Sequence, residues 1–225
     1  MTLSTITTTG QANDFSEEIK TVSPEHYTVA KFKNGDYIYL PDERSDKIYL
    51  LKEGRVITGA FSDEGKMMVK LQVIPGNFFG ETGLIGKKTQ DDFAMAKSEA
   101  TIWVFELEIL RQVLMNKPKL YLHLINSIGR RLIKTEKRLE SMVFKNSRAR
   151  IVEFLYNLAN EQGQRVGYET LVRDFFTHQE IADLTGTSRQ TVTTTLNELR
   201  NDNVITFNRR RLLVRDLSGL YEAIS

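Results

Sequence analysis

From Tyr27 to Phe105 the apolar positions come in short bursts: Tyr37 to Leu40, Ile48 to Leu51, Val56 to Thr58, Met67 to Ile74 and Thr101 to Phe105. Glycines at 35, 54, 59, 65, 76, 80, 83 and 86 punctuate them. Short runs broken by turn signals predict an antiparallel barrel or jelly roll rather than alternating βα units. After Pro118 the period changes. Tyr121, Ile125, Ile128, Leu132, Thr135, Leu139 and Met142 alternate in steps of four and three, a heptad seam along one long helix. From Pro118 to Phe144 that helix would span roughly 40 Å, more than one small domain needs. Arg130, Arg131, Lys134, Glu136, Lys137, Arg138 and Glu140 keep the seam narrow, so it predicts a parallel homodimer, the alternative being a stripe that only packs on the barrel.

Lys145, Asn146 and Ser147 interrupt the seam, and Asn and Ser suit the cap of a next helix whose Ile151, Phe154, Leu155 and Leu158 face one way until Gly163. Thr177 to Glu180 reads Thr-His-Gln-Glu, a capping box that starts a helix at His178. Thr185, Gly186 and Thr187 stop it after about two turns, since Gly permits the left-handed backbone of a tight helix-to-helix turn. A second helix begins near Ser188 and turns Val192, Leu196 and Leu199 inward, which leaves Arg189, Gln190, Thr193, Thr194 and Asn197 facing out. Val204 to Phe207 and Leu212 to Val214 then read as two strands joined by a basic turn, Asn208 to Arg211.

A short helix, a Gly turn and a helix with an Arg, Gln, Thr and Asn face make the layout of a helix-turn-helix, whose second helix enters the major groove. Arg can take guanine O6 and N7, Gln or Asn can take adenine N6 and N7, and Thr can offer its methyl to thymine. The candidate DNA-binding residues are Arg189, Gln190, Thr191, Thr193, Thr194 and Asn197 on that helix, Thr177 and His178 ahead of it, and Arg209, Arg210 and Arg211 on a wing that would meet phosphate. A helical hairpin with a solvated face is the alternative. Thr187 and Gln190 also fit a capping pattern, which would fold Gln190 back onto the helix end.

Composition narrows the function classes. The 225 residues suffice for one or two cores, and 40% hydrophobic with 27% charged is ordinary for a soluble protein. The absence of cysteine excludes disulfides, iron–sulfur clusters, Cys-type zinc sites and cysteine nucleophiles. The net charge of +2 decides nothing about nucleic acid. No run approaches the roughly 20 apolar residues of a membrane helix. Before Lys20 there is neither a basic residue nor an apolar block, so no leader is expected and the cytoplasm is the expected location. His26 is the only histidine before the long helix, too few for a barrel-borne metalloenzyme centre, and no Ser-His-Asp arrangement is suggested, so no enzyme is expected.

From about Tyr27 onward the chain resembles the CRP/FNR family of bacterial transcription factors. The resemblance rests on Asn34 to Asp36, Lys52 to Gly54, Pro75 to Glu81 with Thr82 to Leu84, Thr177 to Ala182, and Thr187 to Val192. It implies an α+β chain: an antiparallel β jelly-roll sensor domain, a long dimerisation helix and a C-terminal winged helix-turn-helix. Its cyclic-nucleotide-binding members hold the ribose with a Gly-Glu pair and the cyclic phosphate with an Arg-Ser or Arg-Thr pair about ten residues on. Gly80 and Glu81 match the first, but Asp91 and Asp92 stand at the second, where carboxylates would repel phosphate. The resemblance so modified implies an unknown small-molecule effector other than cyclic AMP. A cyclic-nucleotide response using Lys87 or Lys88, and a ligand-independent member controlled by abundance, are the alternatives. The candidate effector pocket is Gly80, Glu81, Thr82, Asp91, Asp92 and Thr135, although Glu81 could be structural and Thr135 could merely set helix register. Haem relatives need an axial ligand, for which only His26 and His123 lie outside the DNA domain. Arg189 matches the family's guanine-reading arginine, while Gln190 replaces its glutamate and Thr194 its second arginine, so a different operator is expected.

The expected organisation is a disordered tail over 1–14, a cyclic-nucleotide-binding-like domain over 15–117, a dimerisation helix over 118–145 and a DNA-binding domain over 146–225. The expected partners are double-stranded DNA with a near-palindromic operator, a second copy of the chain and, as a further candidate, RNA polymerase, with no membrane.

Overall fold

The structure is a computed structural model that describes residues 21–224 except 66 and 174. The tail expected over 1–14 lies outside them. The chain forms two compact units, residues 1–133 and 134–225, divided within the long helix.

In the first unit the strands are β1 (Thr28–Phe32), β2 (Tyr37–Tyr39), β3 (Lys47–Glu53), β4 (Val56–Phe61), β5 (Met67–Val73), β6 (Phe78–Phe79), β7 (Phe93–Ala96) and β8 (Ala100–Glu106). They make two antiparallel sheets, ordered β1-β8-β3-β6 and β2-β7-β4-β5. Strand β3 shows why the bursts look continuous rather than alternating. Ile48 and Leu50 join a cluster with Phe105, Leu110, Leu114, Leu120 and Leu124. Tyr49 and Leu51 join another with Tyr39, Val56, Phe79 and Ile102. Both faces of the strand are therefore covered, and periodicity cannot separate them.

Helix α1 (Leu107–Asn116) was not among the expected elements, although its buried Leu110, Val113 and Leu114 have helical spacing. It precedes α2 (Pro118–Phe144). The row of α2 that packs on the barrel is Leu120 and Leu124, both buried. His123 Nε2 lies 3.2 Å from the Gly76 carbonyl and Ser127 Oγ donates to Asn77 Oδ1 at 3.1 Å on the same side. The seam is a different row: Tyr121 is 50% exposed, Ile125 48%, Leu132 59% and Leu139 63%. The long helix thus has one apolar row that is buried, Leu120 and Leu124, and a second apolar row that is exposed.

In the second unit α3 (Ser147–Gln162) is capped by Asn146, whose side chain accepts from Ala149 N. Ser141 and Lys145 both reach Glu153, at 2.6 and 2.7 Å, and tie the end of α2 to α3. Strands β9 (Gln164–Val166) and β10 (Glu169–Arg173) follow, then α4 (His178–Thr185), α5 (Arg189–Asn201), β11 (Ile205–Phe207), β12 (Arg211–Val214) and α6 (Leu217–Glu222). The strands form one sheet, β11-β12-β10-β9. The basic hairpin is therefore half of a four-stranded sheet, whose other half pairs β10 with β9, three exposed residues too short to stand out as a pattern. Ile151, Leu155, Val172, Ile181, Val192, Leu196, Leu199 and Leu212 meet in a single core that fixes α5 against α3, α4 and the sheet.

Candidate nucleic-acid interface and barrel site

Helix α4 starts at the expected capping box, with Thr177 accepting from Glu180 N and Glu180 accepting from Thr177 N. Gly186 closes it at φ +62°, and a Cβ there would meet Met142 Cε at 3.2 Å, so both backbone freedom and small size are used. The N-cap of α5 is Ser188, which accepts from Thr191 N at 3.0 Å. The capping pattern of Thr187 with Gln190 is therefore not formed: Thr187 Oγ1 instead shares a 2.8–2.9 Å class of hydroxyl contact, 2.9 Å to Thr185 Oγ1, while Ser188 Oγ pairs with Thr191 Oγ1 at 2.8 Å.

The polar face of α5 divides in two. Thr191 is tied to the Ser188 cap, Thr193 Oγ1 lies 2.8 Å from His178 Nδ1, and Asn197 Oδ1 accepts from Arg200 at 3.0 Å. Thr177 is likewise engaged, by Glu180. Arg189, Gln190 and Thr194 are exposed, and no hydrogen bond engages their side chains among the described residues. The engaged residues are tied to neighbouring turns, and the open ones keep their donors and acceptors exposed.

The wing turn is preshaped. Asn208 Oδ1 accepts from the backbone N–H of both Arg210 and Arg211 at 2.9 Å, and Phe175 N donates to the Arg210 carbonyl at 3.1 Å. Arg209, Arg210 and Arg211 are all exposed at this tip. Arg200, which sequence reasoning missed, lies with its guanidinium carbon 5.3 Å from the centre of the Phe207 ring and joins α5 to the wing strand. An Arg one helical turn from Asn197 and a Phe ending the strand were the only signal for it.

In the barrel, Gly80 has φ +73°, and a Cβ there would come within 2.8 Å of Tyr49 Cδ2. That tight turn presents Glu81, which forms an ion pair with Arg131 of α2. Thr82 Oγ1 donates to Gln90 Oε1 at 2.7 Å and lies 2.8 Å from Ser45 Oγ. The two aspartates part company. Asp91 pairs with Lys87 on the surface. Asp92 turns inward, accepting from Tyr39 Oη at 3.2 Å with Lys70 Nζ at 4.0 Å. Burial pushes the Asp92 carboxyl above its ordinary value, against the opposing pull of Lys70 and the Tyr39 hydroxyl. Burial first, then the charges of Asp92 and Glu81, push the Tyr39 phenol upward, so it remains a donor. Tyr39, Lys70 and Arg131 were not among the expected pocket residues. Thr135 belongs to the other compact unit and is exposed.

Comparison with known proteins agrees with this arrangement. Residues 29–117 match the cyclic nucleotide-binding domain family and residues 149–223 the Crp-like helix-turn-helix domain family. The chain is 26% identical over 190 residues to the cAMP-activated global transcriptional regulator CRP of Pasteurella multocida, covering 84% of this chain and 90% of the relative. It is 24% identical over 199 residues to the global nitrogen regulator of Synechococcus elongatus, covering 88% and 90%. Among solved structures, a CooA variant from Carboxydothermus hydrogenoformans shares the fold with a TM-score of 0.82 at 24% identity, over 92% of this chain and 94% of the other. The two curated relatives are regulators by name, and the C-terminal family is a helix-turn-helix domain. With two family models placed in tandem on a barrel, a long helix and a winged helix-turn-helix, the chain belongs to the CRP/FNR family and is a DNA-binding transcription regulator with a cyclic-nucleotide-binding-like domain.

Proposed function

We propose that the protein is a cytoplasmic homodimer, joined along Tyr121, Ile125, Ile128, Leu132, Thr135, Leu139 and Met142, that reads a near-palindromic operator and performs no catalysis. Arg189, Gln190 and Thr194 read base edges, and Arg209, Arg210 and Arg211 hold phosphate. The observation that carries this is the division of the α5 face into engaged and open side chains. No helix among the described residues is long and apolar enough to cross a membrane. RNA polymerase is a partner only on the family's precedent.

The barrel's effector is not a cyclic nucleotide on this reading. Asp92 presents a carboxylate where a phosphate would need a cation, and Glu81 is already paired with Arg131. A second reading is favoured by the same pairs: with Glu81, Asp92 and Thr82 each satisfied within the chain, the regulator acts without a ligand and is controlled by its abundance. Selection from a randomised palindrome pool tests the DNA assignment. Two half-sites about one helical turn apart support it, and recovery of no common sequence contradicts it. Sedimentation tests the seam: wild type should be dimeric and Leu132→Glu monomeric.

A further inference from the structure

We infer that His178 contacts a DNA phosphate as an imidazolium, taking up a proton from solvent as the duplex binds. The inference rests on the DNA-binding reading above and adds a proton to it. His178 opens α4, and its Nδ1 lies 2.8 Å from Thr193 Oγ1 on α5. The single Thr193 hydroxyl proton is spent on the Arg189 carbonyl, to which it donates at 2.9 Å. Thr193 must therefore accept from the ring, which puts a proton on Nδ1, so that the neutral form of the ring carries its lone pair on Nε2. Among the described residues Nε2 has no hydrogen-bond partner.

The ring is held from three elements. Beyond Thr193, its centre stands 5.9 Å from that of Phe207 on β11, with the planes at 62°. The charge acting on the ring is that of Arg189 at the head of α5, and Arg200 stands over the Phe207 ring. On its own helix, Glu180 is engaged by Thr177 and Asp183 accepts from Gln179. Burial and then Arg189 hold the imidazole below the ordinary histidine value, and the positive end of α4 acts in the same sense. These influences favour the neutral ring, whose Nε2 lone pair would repel a phosphate oxygen.

A phosphate is the anion this surrounding lacks. Bound between the head of α5 and the wing, it offsets the Arg189 charge and favours a proton on Nε2, which then donates to a phosphate oxygen while Nδ1–H keeps its bond to Thr193. Binding and protonation are coupled, and the histidine registers that the start of α4 is seated on backbone.

The test is the affinity of the full-length protein for a fluorescent mixed-sequence duplex at fixed low salt, between about pH 8 and about pH 5.5. The wild type should bind more tightly as pH falls, by at most about tenfold per pH unit for each contacting protomer. His178→Gln should lose that part of the slope, and His178→Arg should bind tightly without it. Calorimetry in two buffers of different ionisation heat should show net proton uptake for the wild type alone. Equal slopes in wild type and both variants, or no difference in proton uptake, overturn the inference and leave the DNA-binding reading standing. Failure of every form to bind any duplex at any pH overturns both.

Discussion

The head of α5 and the polar patch of the barrel are built from similar side chains and arranged in opposite ways. On α5 the structure spends Thr191, Thr193 and Asn197 on holding the helix and leaves Arg189, Gln190 and Thr194 open. In the barrel Glu81, Thr82, Asp91 and Asp92 each meet a partner within the chain, from Arg131, Gln90, Lys87 and Tyr39 respectively. A surface with open donors is ready for a ligand that supplies acceptors. A patch whose charges are already matched admits only a ligand that can replace those matches, so DNA binding needs less rearrangement here than ligand binding does.

The largest expected effect on this contrast comes from removing the wing charges. Replacing Arg209, Arg210 and Arg211 with Ala should lower the slope of log affinity against log salt by about three per protomer, since each phosphate contact contributes about 0.9. An unchanged slope would place the wing away from the backbone. Next, Arg189→Ala should cost about 1–3 kcal/mol on the selected site and relax preference at one base pair per half-site. A uniform loss over all sequences would make Arg189 a backbone contact instead.

In the barrel, Arg131→Ala leaves the largely covered Glu81 carboxylate without its cation. It should lower the stability of the N-terminal unit by about 1 kcal/mol, read by thermal unfolding, because the pair is only partly shielded from water. The smallest effect concerns His123. Burial holds its imidazole below the ordinary value, so the unfolded chain binds the proton more readily and stability falls as pH drops through about 6.5. His123→Gln should remove that slope, as followed by denaturant midpoints at two pH values.

Much of the DNA-binding half was legible because its signals are local. A capping box, a Gly turn and a helical apolar row each lie within a few residues, and Thr177, Gly186, Val192 and Leu196 took their expected places. The choice between Ser188 and Thr187 as cap was not legible, because both residues suit the position and only the turn geometry chooses. In the barrel, strands β3, β4, β5 and β8 stood out as apolar bursts, whereas β6 is two residues long and β7 carries Ala at alternate positions. The pocket partners were hidden for a different reason. Tyr39, Lys70 and Arg131 come from three separate elements, and only the folded N-terminal unit brings them to Asp92 and Glu81. Asp91 and Asp92 diverge in the bend just ahead of β7, one to Lys87 and the other to Tyr39.

The proposed pairing of an open DNA-reading face with a barrel that has no seat for a cyclic phosphate is tested most directly by fluorescence-anisotropy titration of the purified protein against its selected duplex, at fixed salt, with and without cyclic AMP. Selective binding of the same affinity is expected in both titrations. Selective binding that appears only with the nucleotide would contradict it, and would mean that the Asp92 and Glu81 pairs open to admit a phosphate.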